Sequence, residues 1–322
     1  MKIYLVGGSV RDRLLNIPPQ DTDYLVIGAT EEELLAKGLV KVGQTFPIFL
    51  NPENGDEYTL GTSLEDDLIR RDLTINAMAF DEENNLIDPY GGEADLKSKI
   101  LRHVRPENFF EDPVRVLRAA RFKAQLSSFS ISPDTEMLMR DVVKSPAYGN
   151  ILPERIIKEM KRVFSFERPS LFFETLNSVN GMDPWFREVK KPYERVNPAR
   201  GDDELRFSLL VNGMNTSELD QLSQRLNVQS NWTETARAWI LFTELQEPGP
   251  EKFLEFFYAI DAFRKPRMIT HIAALAGEER SKLLKLYSNI KDISISDIAV
   301  GLKGKDIGLE IRRMRLLKLK ES

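Results

Sequence analysis

No cysteine occurs among the 322 residues, which excludes disulfides, thiol nucleophiles and cysteine-ligated zinc. Only two histidines are present, His103 and His271, too few for a histidine-built metal centre, and both read as packing or surface residues. No apolar run is long enough to cross a bilayer, so no membrane partner is expected. The four apolar residues after Met1-Lys2 are too few for a signal peptide, because Gly7-Gly8 cuts them off in a strand-and-turn pattern. A cytoplasmic location is the expectation. Positive charge is not in excess either: 45 Lys and Arg face 50 Asp and Glu, a net charge of −5. A nucleic-acid partner therefore has to be held by local basic patches. The length is that of two or three domains with a sizeable core.

What is present begins with residues 3–6, an apolar strand closed by Gly7-Gly8. Residues 9–15 follow with helical periodicity, Val10, Leu14 and Leu15 forming the apolar side. Glycine admits close approach of a ligand to the backbone, and N–H groups at a helix start favour phosphate. After Pro18-Pro19 the chain re-enters as a strand carrying Asp21 and Asp23. Residues two apart on a strand share a face, so these carboxylates repel unless a cation lies between them. Mg²⁺ with nucleotide phosphates fits, because it is commonly held by one or two carboxylates plus substrate oxygens.

Four motifs in order carry a resemblance: Gly7-Gly8-Ser9-Val10-Arg11-Asp12 with Asp21-Thr22-Asp23; Arg70-Arg71-Asp72-Leu73-Thr74-Ile75-Asn76-Ala77; Asp88-Pro89-Tyr90-Gly91-Gly92; and Glu111-Asp112-Pro113-Val114-Arg115. The first resembles the entry motif of the DNA polymerase β nucleotidyltransferase superfamily. Together they resemble the class II tRNA nucleotidyltransferases, the CCA-adding enzymes and their bacterial poly(A) polymerase relatives. A weaker match returns at residues 301–308. The resemblance implies an α+β chain: a polymerase β-like head with a mixed sheet and helices over residues 1–100, then an all-α neck (101–165), body (166–250) and tail (251–322). It implies addition or repair of the 3′-terminal CCA of tRNA without a template, using CTP and ATP and releasing pyrophosphate. Asp21 and Asp23 are then the catalytic pair and the Mg²⁺ ligands. Gly8, Arg11 and Arg71 hold triphosphate and ribose, Asp112 and Arg115 read the base, and Arg118 and Arg121 hold phosphate or that pair. The partners are CTP, ATP and the 3′ end and acceptor arm of tRNA; a monomer and a homodimer stay open. In such folds a third carboxylate can lie on a neighbouring strand, which makes Glu57 either a metal helper or a solvent-facing strand residue.

The chemistry of base selection suits those residue types. Cytosine and adenine each pair an exocyclic amine donor with a ring-nitrogen acceptor, which a carboxylate beside a guanidinium complements. Guanine and uracil present the opposite pattern and leave buried groups unpaired. Asp112, Arg115 and Arg118 are spaced by three, so they share a helix side, with Val114, Leu117 and Ala120 packing. Arg71 suits two-pronged phosphate binding. Arg70 and Asp72 can pair with each other or with the helix behind. Asp88 braces the hinge or caps a turn. Glu154 and Arg155, in a helix beginning near residue 152, read as structural braces.

Three departures separate this chain from its lookalikes. Only Gly61-Thr62-Ser63 stand between Leu60 and Leu64, where enzymes that build the whole CCA end usually carry a longer insert. Enzymes that add only C tend to lack that insert, so a CC-adding enzyme is the first alternative. Bacterial poly(A) polymerases usually carry a basic run where this chain has Val42-Gly43-Gln44-Thr45-Phe46. No His-Asp pair occurs, which excludes the phosphohydrolase domain of longer relatives. A non-catalytic RNA-binding relative is the last alternative.

Elsewhere the pattern predicts helices over 30–37 (Thr30 as N-cap), 64–69, 170–178, 203–211, 217–225, 232–245, 251–262, 267–276, 279–288 and 305–320. It predicts strands over 46–50 and 57–60, turns at 51–55 and 84–85, and an exposed loop over 190–203. Ile307, Ile311, Met314 and Leu317 mark one side of the last helix. Seven Lys/Arg against three Asp/Glu over residues 301–322 suit an RNA backbone or a solvated helix end.

Overall fold

The computed structural model describes residues 1–18, 22–42, 48–199, 201–245, 248–294 and 304–321. Asp21, residues 43–46 of the run weighed against poly(A) polymerases, the first two residues of the 46–50 strand and residues 301–303 lie outside these. The chain divides into two compact units, Met1–Glu159 with Leu171–Pro184 and Met160–Ser170 with Trp185–Ser322.

The first unit opens with β1 (Lys2–Val6), α1 (Gly8–Leu14), β2 (Asp23–Ile27), α2 (Glu31–Ala36), β3 (Val40–Val42), β4 (Ile48–Leu50), β5 (Glu57–Gly61) and α3 (Leu64–Ile69). A 3-10 turn at Thr74–Asn76, β6 (Ala79–Phe80), β7 (Leu86–Ile87) and α4 (Gly92–Ser98) complete the α+β part. The sheet runs β3-β4-β5-β2-β1-β6-β7. Only β2 and β5 are parallel; the other pairs are antiparallel. Alternation along β2 sends Leu25 to one face, with Val6, Leu68 and Ala79, and Val26 to the other, with Leu34 and Phe49. One helix thus covers each face, α3 through Leu68 and α2 through Leu34.

Local signals explain the boundaries. Thr30 forms a full capping box with Glu33, and Ser63 caps α3 through the amide of Asp66. Asn84, at φ 64°, turns the β6–β7 hairpin, and Asn51 closes the 51–55 turn through the amides of Glu53 and Gly55. Asp88 accepts from the amides of Gly92 (2.7 Å) and Glu93 (2.9 Å), the turn-capping role of the two open to it. A Cβ at Gly92 would lie 2.3 Å from the Thr74 carbonyl oxygen and 2.9 Å from Met78 Cγ. Gly92→Ala is therefore expected to cost about 1–3 kcal/mol, read as a lower denaturant midpoint at unchanged slope.

The helical remainder of this unit comprises β8 (Ile100–Leu101), α5 (Pro106–Glu111), α6 (Val114–Gln125), β9 (Ser130–Ile131), α7 (Pro133–Val143), α8 (Pro146–Gly149), α9 (Pro153–Phe164) and α10 (Ser170–Ser178). The unit boundary falls inside α9. Val114, Leu117 and Ala120 are buried, as their spacing predicts. His103 packs on Phe109, with Nδ1 2.8 Å from the Thr135 hydroxyl.

The second unit holds α11 (Asp203–Leu210), α12 (Thr216–Leu226), α13 (Ser230–Thr243), α14 (Pro250–Ala259), α15 (Arg267–Leu275), α16 (Arg280–Ile290) and α17 (Lys305–Lys320). Each lies within three residues of its expected bounds. Phe253, Phe257, Ile272, Ile290 and Leu319 belong to its core. Two expectations change here. The 190–203 stretch is not wholly exposed, because a 3-10 turn at Tyr193–Val196 buries Tyr193 and Val196. On α17, Leu317 is 47% exposed, whereas Arg315 and Leu319, one turn apart, are buried; the Arg315 guanidinium lies 3.5 Å over the Phe263 ring. Fully buried Arg206 donates to the carbonyls of Ala199, Phe164 and Phe166. His271 lies 3.4 Å from Glu204, a packing position. Among the described residues no helix is long and apolar enough to cross a membrane.

Candidate active site

Gly7 precedes α1 at φ 70°, a conformation that disfavours side chains, and a Cβ there would stand 2.7 Å from Nη1 of Arg71. Gly7 is thus required twice. The sequence pattern points to Gly8, whose added Cβ would meet only Arg11 Nη2 at 3.4 Å. The positive φ that separates the two glycines has no signature in a Gly-Gly pair. Ser9 then reaches across: its hydroxyl accepts the amide of Asp23 at 3.1 Å. The glycine turn and the acid-bearing strand are therefore tied directly.

The parallel register sets Asp23 beside Glu57, followed by Tyr24 beside Tyr58 and Leu25 beside Thr59. Paired residues on neighbouring strands share a face, at a strand spacing of about 4.8 Å. Asp23 and Glu57 are both partly buried on the face opposite the stacked rings of Tyr24 and Tyr58. Two carboxylates on adjacent strands form a hard-oxygen donor set of the kind Mg²⁺ takes. Among the described residues, which exclude Asp21, no three acidic or histidine side chains converge.

The Arg70-Arg71-Asp72 run separates into three roles. Arg70 is exposed and donates to the Asp66 carbonyl at 2.6 Å. Arg71 pairs with Asp67 one turn back (2.7 Å) while its guanidinium lies against Gly7. Asp72 is 3% exposed. Its Oδ1 accepts from the Leu73 amide (2.8 Å) and from Asn76 Nδ2 (2.9 Å), and its Oδ2 from Arg118 Nε (2.7 Å). Burial by itself raises the carboxyl; the Arg118 guanidinium, with the Asn76 and Leu73 donors, outweighs it and holds Asp72 well below the usual carboxylate range. The partner of Asp72 is thus the helix behind, not Arg70. From Asn76 the chain continues, because its Oδ1 accepts from Arg11 Nη1 at 2.7 Å and Arg11 pairs with Asp12 at 2.8 Å. Arg11 is only 5% exposed.

On the neck side, Asp112 terminates α5 and both its oxygens are gripped by Arg155 of α9, at 2.8 Å each. Arg115 is half-buried, and its Nε, itself enclosed, has no hydrogen-bond partner among the described residues. Burial pushes its guanidinium below the ordinary value, against the pull of Asp72 and Asp112. Arg118 is spent on Asp72, which raises it further. Arg121 is 6% exposed, lies 4.0 Å over the Phe122 ring, and donates to Glu159 (2.5 Å) and Gln125 (3.1 Å). The structure therefore places Arg118 and Arg121 on Asp72 and Glu159. It brings Arg71 to the glycine turn and Glu57 to Asp23, and gives Asp112 a partner other than Arg115. Arg155 and Glu159, one turn apart on α9, hold Asp112 and Arg121 respectively.

Residues 46–102 match the Poly A polymerase head domain family. The chain is 34% identical to the CCA-adding enzyme of Coxiella burnetii (strain RSA 331 / Henzerling II), covering 98% of this chain and 94% of that protein. It is 35% identical to the multifunctional CCA protein of Legionella pneumophila (strain Paris), over 84% and 82% of the two chains. Among solved structures, a CCA-adding enzyme complex with ATP superposes with a TM-score of 0.76 at 24% identity, over 100% of this chain and 88% of the other, a likeness of fold.

Proposed function

This chain belongs to the CCA-adding enzymes, and from that membership we propose that it adds or restores the 3′-terminal CCA of tRNA from CTP and ATP without a template. The observation that carries the catalytic reading is the register of β2 and β5, which sets Glu57 beside Asp23 next to the glycine turn. Asp21 and Asp23, with Glu57 as helper, are the residues to hold Mg²⁺. Bound there, Mg²⁺ neutralises triphosphate charge and lowers the pKa of the tRNA 3′-hydroxyl. That hydroxyl forms the new bond to the α-phosphorus as the bond to pyrophosphate breaks. Arg71, against Gly7, is placed to meet phosphate oxygens through its fork, with Gly8 leaving the backbone accessible. Arg11 acts on the same region through Asn76 and Asp12.

Residues 1–100 then serve catalysis and 101–165 base selection, through Asp112 and Arg115. Arg115 supports this as a half-buried guanidinium whose terminal N–H groups are spent on no other residue among those described, and so suit a ring nitrogen. Arg118 and Arg121 position that pair rather than contact phosphate. The body (166–250) and tail (251–322), with the basic side chains of α17, are the proposed tRNA contact. Substrates of this kind agree with the cytoplasmic location expected from sequence.

One observation favours a narrower reading, in which the enzyme adds only CC. Thr62 and Ser63 alone join β5 to α3, and both are engaged: Thr62 donates to Asp66 (3.1 Å) and Ser63 accepts the Asp66 amide (3.0 Å). Extending a tRNA that ends at the discriminator base with CTP alone, ATP alone and both decides. Full activity gives three added nucleotides with both triphosphates; the narrower reading gives two in either CTP lane. No extension in any lane overturns the proposal.

A further inference from the structure

We infer that Arg155 fixes the Asp112 carboxylate in the orientation that admits cytosine and adenine and rejects uracil and guanine, and so acts as a positioning residue for nucleotide selection. The inference rests on the base-reading role proposed above for Asp112 and Arg115.

Asp112 sits where α5 ends, at φ −136° and ψ 85°, just before α6 starts. Its side chain is 31% exposed, so burial alone does not fix its rotamer. The Arg155 fork does, contacting Oδ1 through Nη1 and Oδ2 through Nη2, each at 2.8 Å. Two parallel contacts set the plane of a carboxylate as well as its position. Arg155 is itself anchored, because Glu159 one turn along α9 holds Arg121 of α6. The Asp112 pairing lifts the Arg155 guanidinium above its ordinary value, against the penalty of burial.

This arrangement leaves hydrogen-bonding capacity where selection requires it. A two-pronged arginine takes one lone pair on each carboxylate oxygen and leaves another on each. Asp112 thus remains an acceptor with a fixed direction. Arg115 spends none of its terminal guanidinium N–H groups on another residue among those described, so its Nη donors remain. A fixed acceptor beside a donor matches the amine and ring nitrogen of cytosine or adenine. Uracil and guanine present a carbonyl oxygen and a ring N–H in those places. A carboxylate free to swing by one bond position could accept that ring N–H instead, and the wrong bases would be tolerated. Arg155 sets where the acceptor points; Asp112 supplies it. The pair is half exposed, and exposed pairs of this kind add little to stability, so removing it is not expected to unfold the chain.

The test uses the full chain as Arg155→Gln, Arg155→Lys and Asp112→Ala. kcat/KM is measured separately for CTP, ATP, UTP and GTP on a tRNA ending at the discriminator base, or at CC for the purines, alongside thermal melting. Arg155→Gln is expected to lower the CTP-over-UTP ratio about ten- to thirtyfold with melting unchanged. Arg155→Lys, with its charge kept and fork lost, falls between. An equal loss for all four nucleotides in both Arg155 variants, with the ratio intact, overturns the inference and leaves Arg155 a simple brace. If Asp112→Ala collapses the ratio in that case, the base-reading proposal survives. If Asp112→Ala also leaves the ratio intact, the base-reading proposal falls and this inference with it.

Discussion

Asp23→Ala is expected to lower kcat/KM for CTP incorporation by at least about a thousandfold. Asp23 and Glu57 stand side by side on parallel strands, so without a cation their charges oppose each other. The lost function is electrostatic: the triphosphate charge and the developing oxyanion would lose the cation these oxygens are proposed to hold. Glu57→Gln is expected to cost less, about ten- to a hundredfold, as a helper ligand should, with part restored by raising Mg²⁺. Primer extension on tRNA reads both. Incorporation by Asp23→Ala, or by Asp21→Ala with Asp23→Ala, within tenfold of the parent removes the catalytic assignment.

The second large effect is on folding. Asp72→Asn keeps the shape of a 3% exposed side chain but turns one acceptor into a donor facing Arg118, or facing Leu73 and Asn76. Breaking a buried pair from one side typically costs 3–5 kcal/mol; Arg118 is 33% exposed, so solvent softens the loss and about 3 kcal/mol is expected. The pH dependence has a definite sign. The folded Asp72 lies below its unfolded value of about 3.9, so its contribution is complete above that pH and drains away as the pH falls toward the depressed folded value. The stability gap between parent and variant should stay level from about pH 8 to 5 and close only below about pH 4. A gap that closes near neutrality assigns the effect to another group. Nucleotide binding should weaken as well, because Asp72 steadies Asn76 and through it Arg11.

What could be read in advance depended on how far apart the partners lie in sequence. The Thr30 cap and the α3 helix are settled within five residues, and pattern alone finds them; the Asp88 cap is as local, yet pattern leaves it open beside a hinge role. The Asp23–Glu57 adjacency was legible only as a candidate, because spacing shows two strands but not that they run parallel in that register. Nothing in the sequence joins Asp72 to Arg118, 46 residues on, or Asp112 to Arg155, 43 residues on. For Arg118 and Arg121, periodicity correctly gives a shared helix and misses that each guanidinium is drawn to a residue outside it; Asp112, expected on that same helix, instead ends α5 and pairs with α9. Gly7 was hidden beside Gly8, since composition cannot show which of two glycines takes the positive φ. Leu317 was misplaced because α17 buries Arg315 and Leu319 at four-residue steps, the arginine lying on the packed side through its ring contact.

The line Asp12, Arg11, Asn76, Asp72, Arg118 joins three stretches of sequence, the last of them on α6. Such a line does not drift one residue at a time. Each inner member satisfies two neighbours, so an exchange that suits one orphans the other, and energies of single changes along it do not add. Descendants of this chain are left with two routes: keep all five residues, or replace them as a block.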